Sequence, residues 1–150
     1  MKLYSIGFTK KSAQTFFDLL ESAGVKWVMD IRLSPDSQLA GFAKKRDLGF
    51  FLEKVSHIHY SHELDLAPSE ELFRAFRAKE LDFPRYEELF RELLEKRNVI
   101  PRYLETIRTS EPICLLCSEA TPENCHRRWV AEVLQGAAHP GEIEIVHLQS

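Results

Sequence analysis

Lys2-Leu3-Tyr4-Ser5-Ile6-Gly7 and, further on, Val25-Lys26-Trp27-Val28-Met29-Asp30-Ile31-Arg32 decide the fold. The first stretch is a short apolar strand stopped by Gly7. The second is apolar nearly throughout and lacks the alternation of a strand with one wet face. That pattern predicts burial on both faces, as in a parallel sheet. Between them Ser12 is placed as an N-cap, Ala13, Phe16, Phe17 and Leu20 recur at helical spacing, and Gly24 ends the helix. Strand, helix, strand makes one βαβ unit, expected to be right-handed.

Residues 33–46 read as a long irregular stretch holding Pro35, Gly41 and Lys44-Lys45-Arg46. Loops of this length inside compact domains tend to be functional. Asp47 reads as the cap of a short helix with Leu48, Phe51, Leu52 and Val55 inward. Residues 57–62 read as a third strand, because Ile58 and Tyr60 oppose His57 and His59. Two helical stretches follow. One starts at Ser69 with Leu72, Phe73 and Phe76 on one stripe. The other has Pro84 in its first turn and Tyr86, Leu89, Phe90, Leu93 and Leu94 as its apolar face. Pro101 breaks that pattern, and a further turn or two carries Tyr103, Leu104 and Ile107. The apolar run 112–118 is expected to be a central strand. Thr121-Pro122 reads as a helix start, with Trp129, Val130, Val133, Leu134 and Ala137 facing inward. Glu142 and Glu144 alternate with Ile143 and Ile145 in a final strand, expected at a sheet edge. The predicted class is α/β: a single three-layer domain over 1–150, with a mostly parallel sheet of about five strands and helices on both faces.

Composition fits this. The chain has 150 residues, 44% hydrophobic and 29% charged, enough for one self-supporting core. The formal net charge is -3, so no overall positive field draws in nucleic acid. Met1-Lys2-Leu3 runs straight into a strand pattern, which predicts neither signal peptide nor membrane span. The expectation is a cytoplasmic protein whose three cysteines are thiols.

In open α/β sheets ligands bind beyond the carboxyl ends of the strands. Those ends collect Gly7-Phe8-Thr9, Asp30-Ile31-Arg32, His62-Glu63 and Cys117-Ser118-Glu119. Asp30 and Arg32 share a strand face. Two charges closing an apolar strand must be paired or face a cleft, so they are read as a structural ion pair or as part of a site. The stretch from Cys114 to Arg128 carries most of the chemistry. Its Cys-x-x-Cys is not read as a zinc or redox motif, because side chains three apart on a strand point to opposite faces. Cys114 then packs as a small hydrophobe, and Cys117 reaches the cleft. Along a helix from Thr121, at about 100° per residue, His126 falls on the inward direction, Cys125 and Arg127 on its flanks and Arg128 toward water. Helix N-termini attract anions and lower thiol pKa values. Cys117 or Cys125, beside His126 and Arg127, is therefore a candidate thiolate. The bland alternatives are a packed thiol and a satisfied core histidine.

Cys117-x-Glu119 followed by Cys125-His126-Arg127 resembles the C-terminal signature of the bacterial and archaeal domain of unknown function 488 family. Tyr4-Ser5-Ile6-Gly7-Phe8-Thr9 and Asp30-Ile31-Arg32 resemble that family's first two strands. The resemblance implies an intracellular α/β protein and brings no activity with it.

Three functional readings stay open. In the first, an enzyme takes a small phosphorylated or nucleotide-like substrate. Arg32 and Arg127 bind the anion in surroundings that include Asp30, Cys125, Gly7 and Thr9. Cys117 is nucleophile or thiol donor, and His126 or Glu119 is acid/base. The likeness to thiol phosphatase and sulfurtransferase loops is only in outline, because Cys117 and Arg127 lie ten positions apart. In the second, Lys44-Lys45-Arg46, Arg74, Arg77 and Lys79 contact phosphates in a non-catalytic nucleic-acid-binding or regulatory module, against the negative net charge. In the third, Cys117, Cys125, His126 and His62 hold zinc. This reading ranks last, since neighbours on a helix diverge by about 100°. No metal ligand or cofactor is assigned, and the expected partner is a small anion.

Overall fold

The computed structural model describes residues 1–34, 45–110, 112–118 and 125–149. Five strands form one sheet: β1 (Lys2–Gly7), β2 (Trp27–Asp30), β3 (His59–His62), β4 (Ile113–Cys117) and β5 (Glu144–Leu148). All pair in parallel, in the order β3-β2-β4-β1-β5. The two strands of the opening βαβ unit are therefore not neighbours, because β4 enters between them. This is the central place its unbroken apolar run calls for, and all five of its residues are buried. β5 lies at an edge with its residues only partly covered, as its alternation predicts.

Six helices cover the described sheet: α1 (Ala13–Ser22), α2 (Lys45–Lys54), α3 (Glu70–Arg77), α4 (Phe83–Arg97), α5 (Ile100–Thr109) and α6 (His126–Ala137). Side chains alternate across the strands, so the core divides in two. Phe16 and Leu20 of α1 and Leu48 and Leu52 of α2 pack with Ile6, Val28, Cys114 and Leu116 on one face. α3 to α6 pack with Leu3, Met29, Leu115 and Cys117 on the other. This is the expected three-layer α/β domain. Among the described residues no helix is long and apolar enough to cross a membrane.

Local signals set several boundaries. Ser12, Ser69 and Asp82 each cap a helix by accepting from the backbone N–H three residues on. Gly24 takes φ +74° after α1, a conformation that costs glycine little. Other expectations are corrected. α2 begins at Lys45, so Asp47 lies in its first turn, facing the helix dipole rather than capping it. Phe51 and Val55 are 37% and 66% exposed, because only the Leu48 and Leu52 edge of α2 meets the sheet. Pro101 opens α5 rather than interrupting a pattern, since its missing N–H has no partner to lose in a first turn. α6 starts at His126, with Cys125 as its N-cap in extended conformation, and Ala137 at its end is exposed. Thr121, Pro122, Gly41 and Pro35 lie outside the described residues.

Candidate functional site

At the end of β2 the Asp30 carboxylate is held from several sides. Arg32 Nε donates to Oδ1 at 2.8 Å and Nη2 to Oδ2 at 2.7 Å, while the Arg32 backbone N–H reaches Oδ1 at 3.1 Å. The Tyr60 hydroxyl of β3 donates to Oδ2 at 2.5 Å. Asp30 is completely buried and Arg32 is 2% exposed, so the charges compensate one another in a dry setting. The Arg32 guanidinium lies 5.2 Å from the Phe8 ring centroid. Its third nitrogen, Nη1, is buried and has no hydrogen-bond partner among the described residues. The structural ion pair expected of these two charges is present, and it leaves one guanidinium donor over.

The second half of the site hangs on β4 and α6. Cys117 ends β4, and Cys125 precedes the first turn of α6. Their sulfurs are joined in a disulfide across eight positions. This corrects the expectation of three thiols. Cys125 is not on the helix but extended (φ -126°, ψ 138°), and that conformation lets it turn back to the strand. The divergence between neighbouring helical residues therefore does not apply to Cys125 and His126. Cys114, on the opposite sheet face, is fully buried, and burial pushes its thiol pKa up, as for an inert hydrophobe.

Arg127 is fully buried beneath the sulfurs. Its Nη1 lies 3.4 Å from Cys117 Sγ and 3.9 Å from Cys125 Sγ, and its Nε donates to Ser5 Oγ at 3.1 Å. His126 Nε2 sits 2.7 Å from the Ile31 carbonyl. A carbonyl only accepts, so Nε2 carries the proton and Nδ1 keeps a lone pair. Burial pushes the imidazole pKa down to about 4 and the Arg127 charge acts in the same sense, while the Ile31 bond opposes them. The ring is neutral at pH 7. One donor atom each from Cys117, Cys125 and His126 lie within 4.8 Å of one another.

These two halves meet. His126 touches the backbone beside Arg32, and both residues line one cavity of about 540 Å³ together with Cys117, Cys125 and Ser118. Its far wall is α3, through Glu70, Phe73, Arg74, Phe76 and Arg77, with Tyr86 of α4 behind. Arg77 lies over Phe73, and Phe76 stacks on Tyr86 at 4.4 Å between centroids. Among the described residues, three arginines and one glutamate thus line the same opening as the two cysteines.

Other sequence-derived candidates fall elsewhere. Gly7 pairs with Cys117 in the sheet, and Thr9 binds the Ser118 carbonyl through both its N–H and its hydroxyl, so both shape the end of β4 without lining the cavity. His62 Nε2 meets the Arg32 carbonyl at 2.7 Å and is not in the sulfur cluster. Glu119 lies outside the described residues, as does Lys44. Arg74 and Arg77, read as phosphate contacts of a nucleic-acid module, instead face the same cavity as the cysteines. Sequence reasoning did not foresee the α3 wall. Its aromatic stripe looks like ordinary core packing until the helix is seen to overhang the carboxyl edge.

Neither a curated protein nor a solved structure matches the chain in comparison searches. A family model does, over residues 12–134, a span that takes in both β2 with its Asp30–Arg32 pair and the Cys117 to Arg127 segment. The chain belongs to the family described as domain of unknown function DUF488.

Proposed function

We propose that this protein is an enzyme that binds a small phosphorylated or nucleotide-like anion in the cavity at the carboxyl edge of the sheet and brings it against Cys117 and His126. One observation carries the reading: Arg32, Arg74 and Arg77 converge on the cavity whose floor is Cys117 and Cys125. Arg32 contributes the buried Nη1 that Asp30 leaves unused. The guanidinium fork suits phosphate oxygens. Phe73 and Phe76 give an aromatic surface for a base or similar ring. Asp30 is a positioning residue, since its carboxylate is spent on Arg32 and Tyr60. Arg127 acts from beneath, where its charge favours thiolate over thiol once the disulfide is reduced. We take the working compartment to be the reducing cytoplasm, which supplies that reduction.

The test is calorimetric titration of the protein with inorganic phosphate, AMP and CMP at two salt concentrations. Binding that weakens with salt is expected. The double substitution Arg74→Ala, Arg77→Ala should weaken it at least about tenfold, the scale of one lost charged hydrogen bond. No binding of any of the three probes at low salt would overturn the reading. Tighter binding of a single-stranded oligonucleotide, with a steep salt slope, would favour the nucleic-acid-binding module in its place.

A further inference from the structure

We propose that, once their disulfide is reduced, Cys117 and Cys125 bind a zinc ion together with His126, leaving a fourth coordination position open to the cavity. The site is built on three independent observations. First, the donor atoms are already gathered: one from each residue, all within 4.8 Å. Ligands of a tetrahedral zinc, at about 2.3 Å for sulfur and about 2.0 Å for nitrogen, stand roughly 3.5–3.8 Å from each other. The cluster is therefore gathered on that scale, and reduction frees the two bonded sulfurs to separate to it. Second, His126 shows the support that a metal-bound imidazole has. It donates one ring N–H to a backbone carbonyl, here Nε2 to Ile31 at 2.7 Å, which fixes the tautomer and leaves Nδ1 as the ligand nitrogen. Third, Arg127 Nη1 sits 3.4 and 3.9 Å from the two sulfurs, where its N–H groups donate to thiolates.

The donor set of two thiolates and an imidazole suits zinc. Three protein ligands with an open fourth place are the arrangement of a zinc that acts on a substrate rather than one that only holds a fold. All three ligand residues line the cavity, so the open place faces the ring of arginines. A phosphate or water oxygen held by Arg32 and Arg74 comes to the metal from that side. The metal site stands on its own geometry, and only the identity of the fourth ligand rests on the anion-binding reading.

The electron balance is simple. A phosphine breaks the S–S bond by giving two electrons and taking an oxygen from water, and the two water protons end on the sulfurs. Zinc displaces those protons and forms two Zn–S bonds. In a cell, two small-molecule thiols supply the same electrons and leave as their own disulfide.

The experiment uses the whole chain, stripped of metal, with cobalt(II) as a coloured stand-in for zinc. Phosphine-reduced protein should bind one equivalent with thiolate-to-cobalt charge-transfer absorption and the intense visible bands of a four-coordinate site, and zinc should bleach both. Oxidised protein should show neither. Cys117→Ser, Cys125→Ser and His126→Gln should each lose at least about tenfold in affinity. Cys114→Ala, on the other sheet face, should keep it. No charge-transfer band in the reduced wild type, or an unchanged spectrum in Cys125→Ser, would overturn the proposal. If the variants fail to fold, the contrast between oxidised and reduced wild type still decides. Phosphate titration of metal-free reduced protein reads the anion site separately, so the failure of one reading is not mistaken for the failure of the other.

Discussion

The Asp30 carboxylate accepts three bonds from Arg32 and one from Tyr60, in a place that water does not reach. Removing one partner of a buried ion pair leaves the other charged and unpaired, which costs about 3–5 kcal/mol. Asp30→Asn should therefore lower the unfolding free energy by about 3 kcal/mol in urea denaturation, and Tyr60→Phe by about 1 kcal/mol, the value of one hydrogen bond. Equal and small effects of the two would show that Arg32 finds another counter-charge. The pair was legible in the sequence because two charges, two positions apart, close an otherwise apolar strand. Tyr60 was not, since its approach depends on how β3 registers against β2, with His62 opposite Asp30. The joining of Cys117 to Cys125 was hidden for a similar reason. It needs Cys125 extended, and helical periodicity from Thr121 assigned it to a helix.

Elements were easiest to read where the signal is local. Ser69 accepts from the Leu72 N–H at 3.1 Å and opens α3, the helix that carries Arg74 and Arg77 over the cavity. α3 has eight residues, of which only Leu72 is buried, so its cap is a large share of its support. Ser69→Ala should cost about 1 kcal/mol in thermal or urea unfolding. Faster amide hydrogen exchange over the first turn of α3 than elsewhere in the variant is expected, and uniform exchange would place the loss outside the cap. Caps and proline positions of α1, α3 and α4 follow from residues a few positions apart. The start of α6 does not. There the tie between Cys125 and Cys117 and the His126 bond to Ile31 fix the first turn from across the sheet. Phe51 and Val55 show the same limit from the other side. Their spacing marks an apolar stripe, yet only tertiary packing decides how much of it is covered.

At the scale of the molecule, the cavity exists because β4 enters between β2 and β1. The chain runs from β1 through α1 to β2 and β3 on one side, and from β4 through α6 to β5 on the other, with α1 and α6 on opposite faces. Connections that diverge in this way leave a crevice at the carboxyl edge, where Cys117 comes between Gly7 and the Asp30–Arg32 pair. The class of the fold was legible from apolar strands alternating with amphipathic helices, whereas the strand order was not, because it depends on contacts more than eighty positions apart. At the opposite edge, closure depends on Glu142. Its carboxylate takes Arg108 Nε at 2.6 Å and Nη2 at 2.9 Å and the His139 N–H at 2.9 Å, while its carbonyl accepts from the Met1 ammonium at 2.7 Å. The Arg108 bond, foremost, holds the Glu142 pKa down to about 2. A carboxylate whose pKa is lower in the folded than in the unfolded chain stabilises the fold above its unfolded value, and that contribution fades as pH falls through the folded one. Melting temperatures of the wild type and Glu142→Gln should therefore differ by a constant amount from neutrality down to about pH 4.5, converge below that and coincide near pH 2. Because the pair is exposed, added salt should shrink the gap at every pH. A gap that persists unchanged to pH 2 would assign the role of Glu142 to its shape and backbone contacts rather than to its charge.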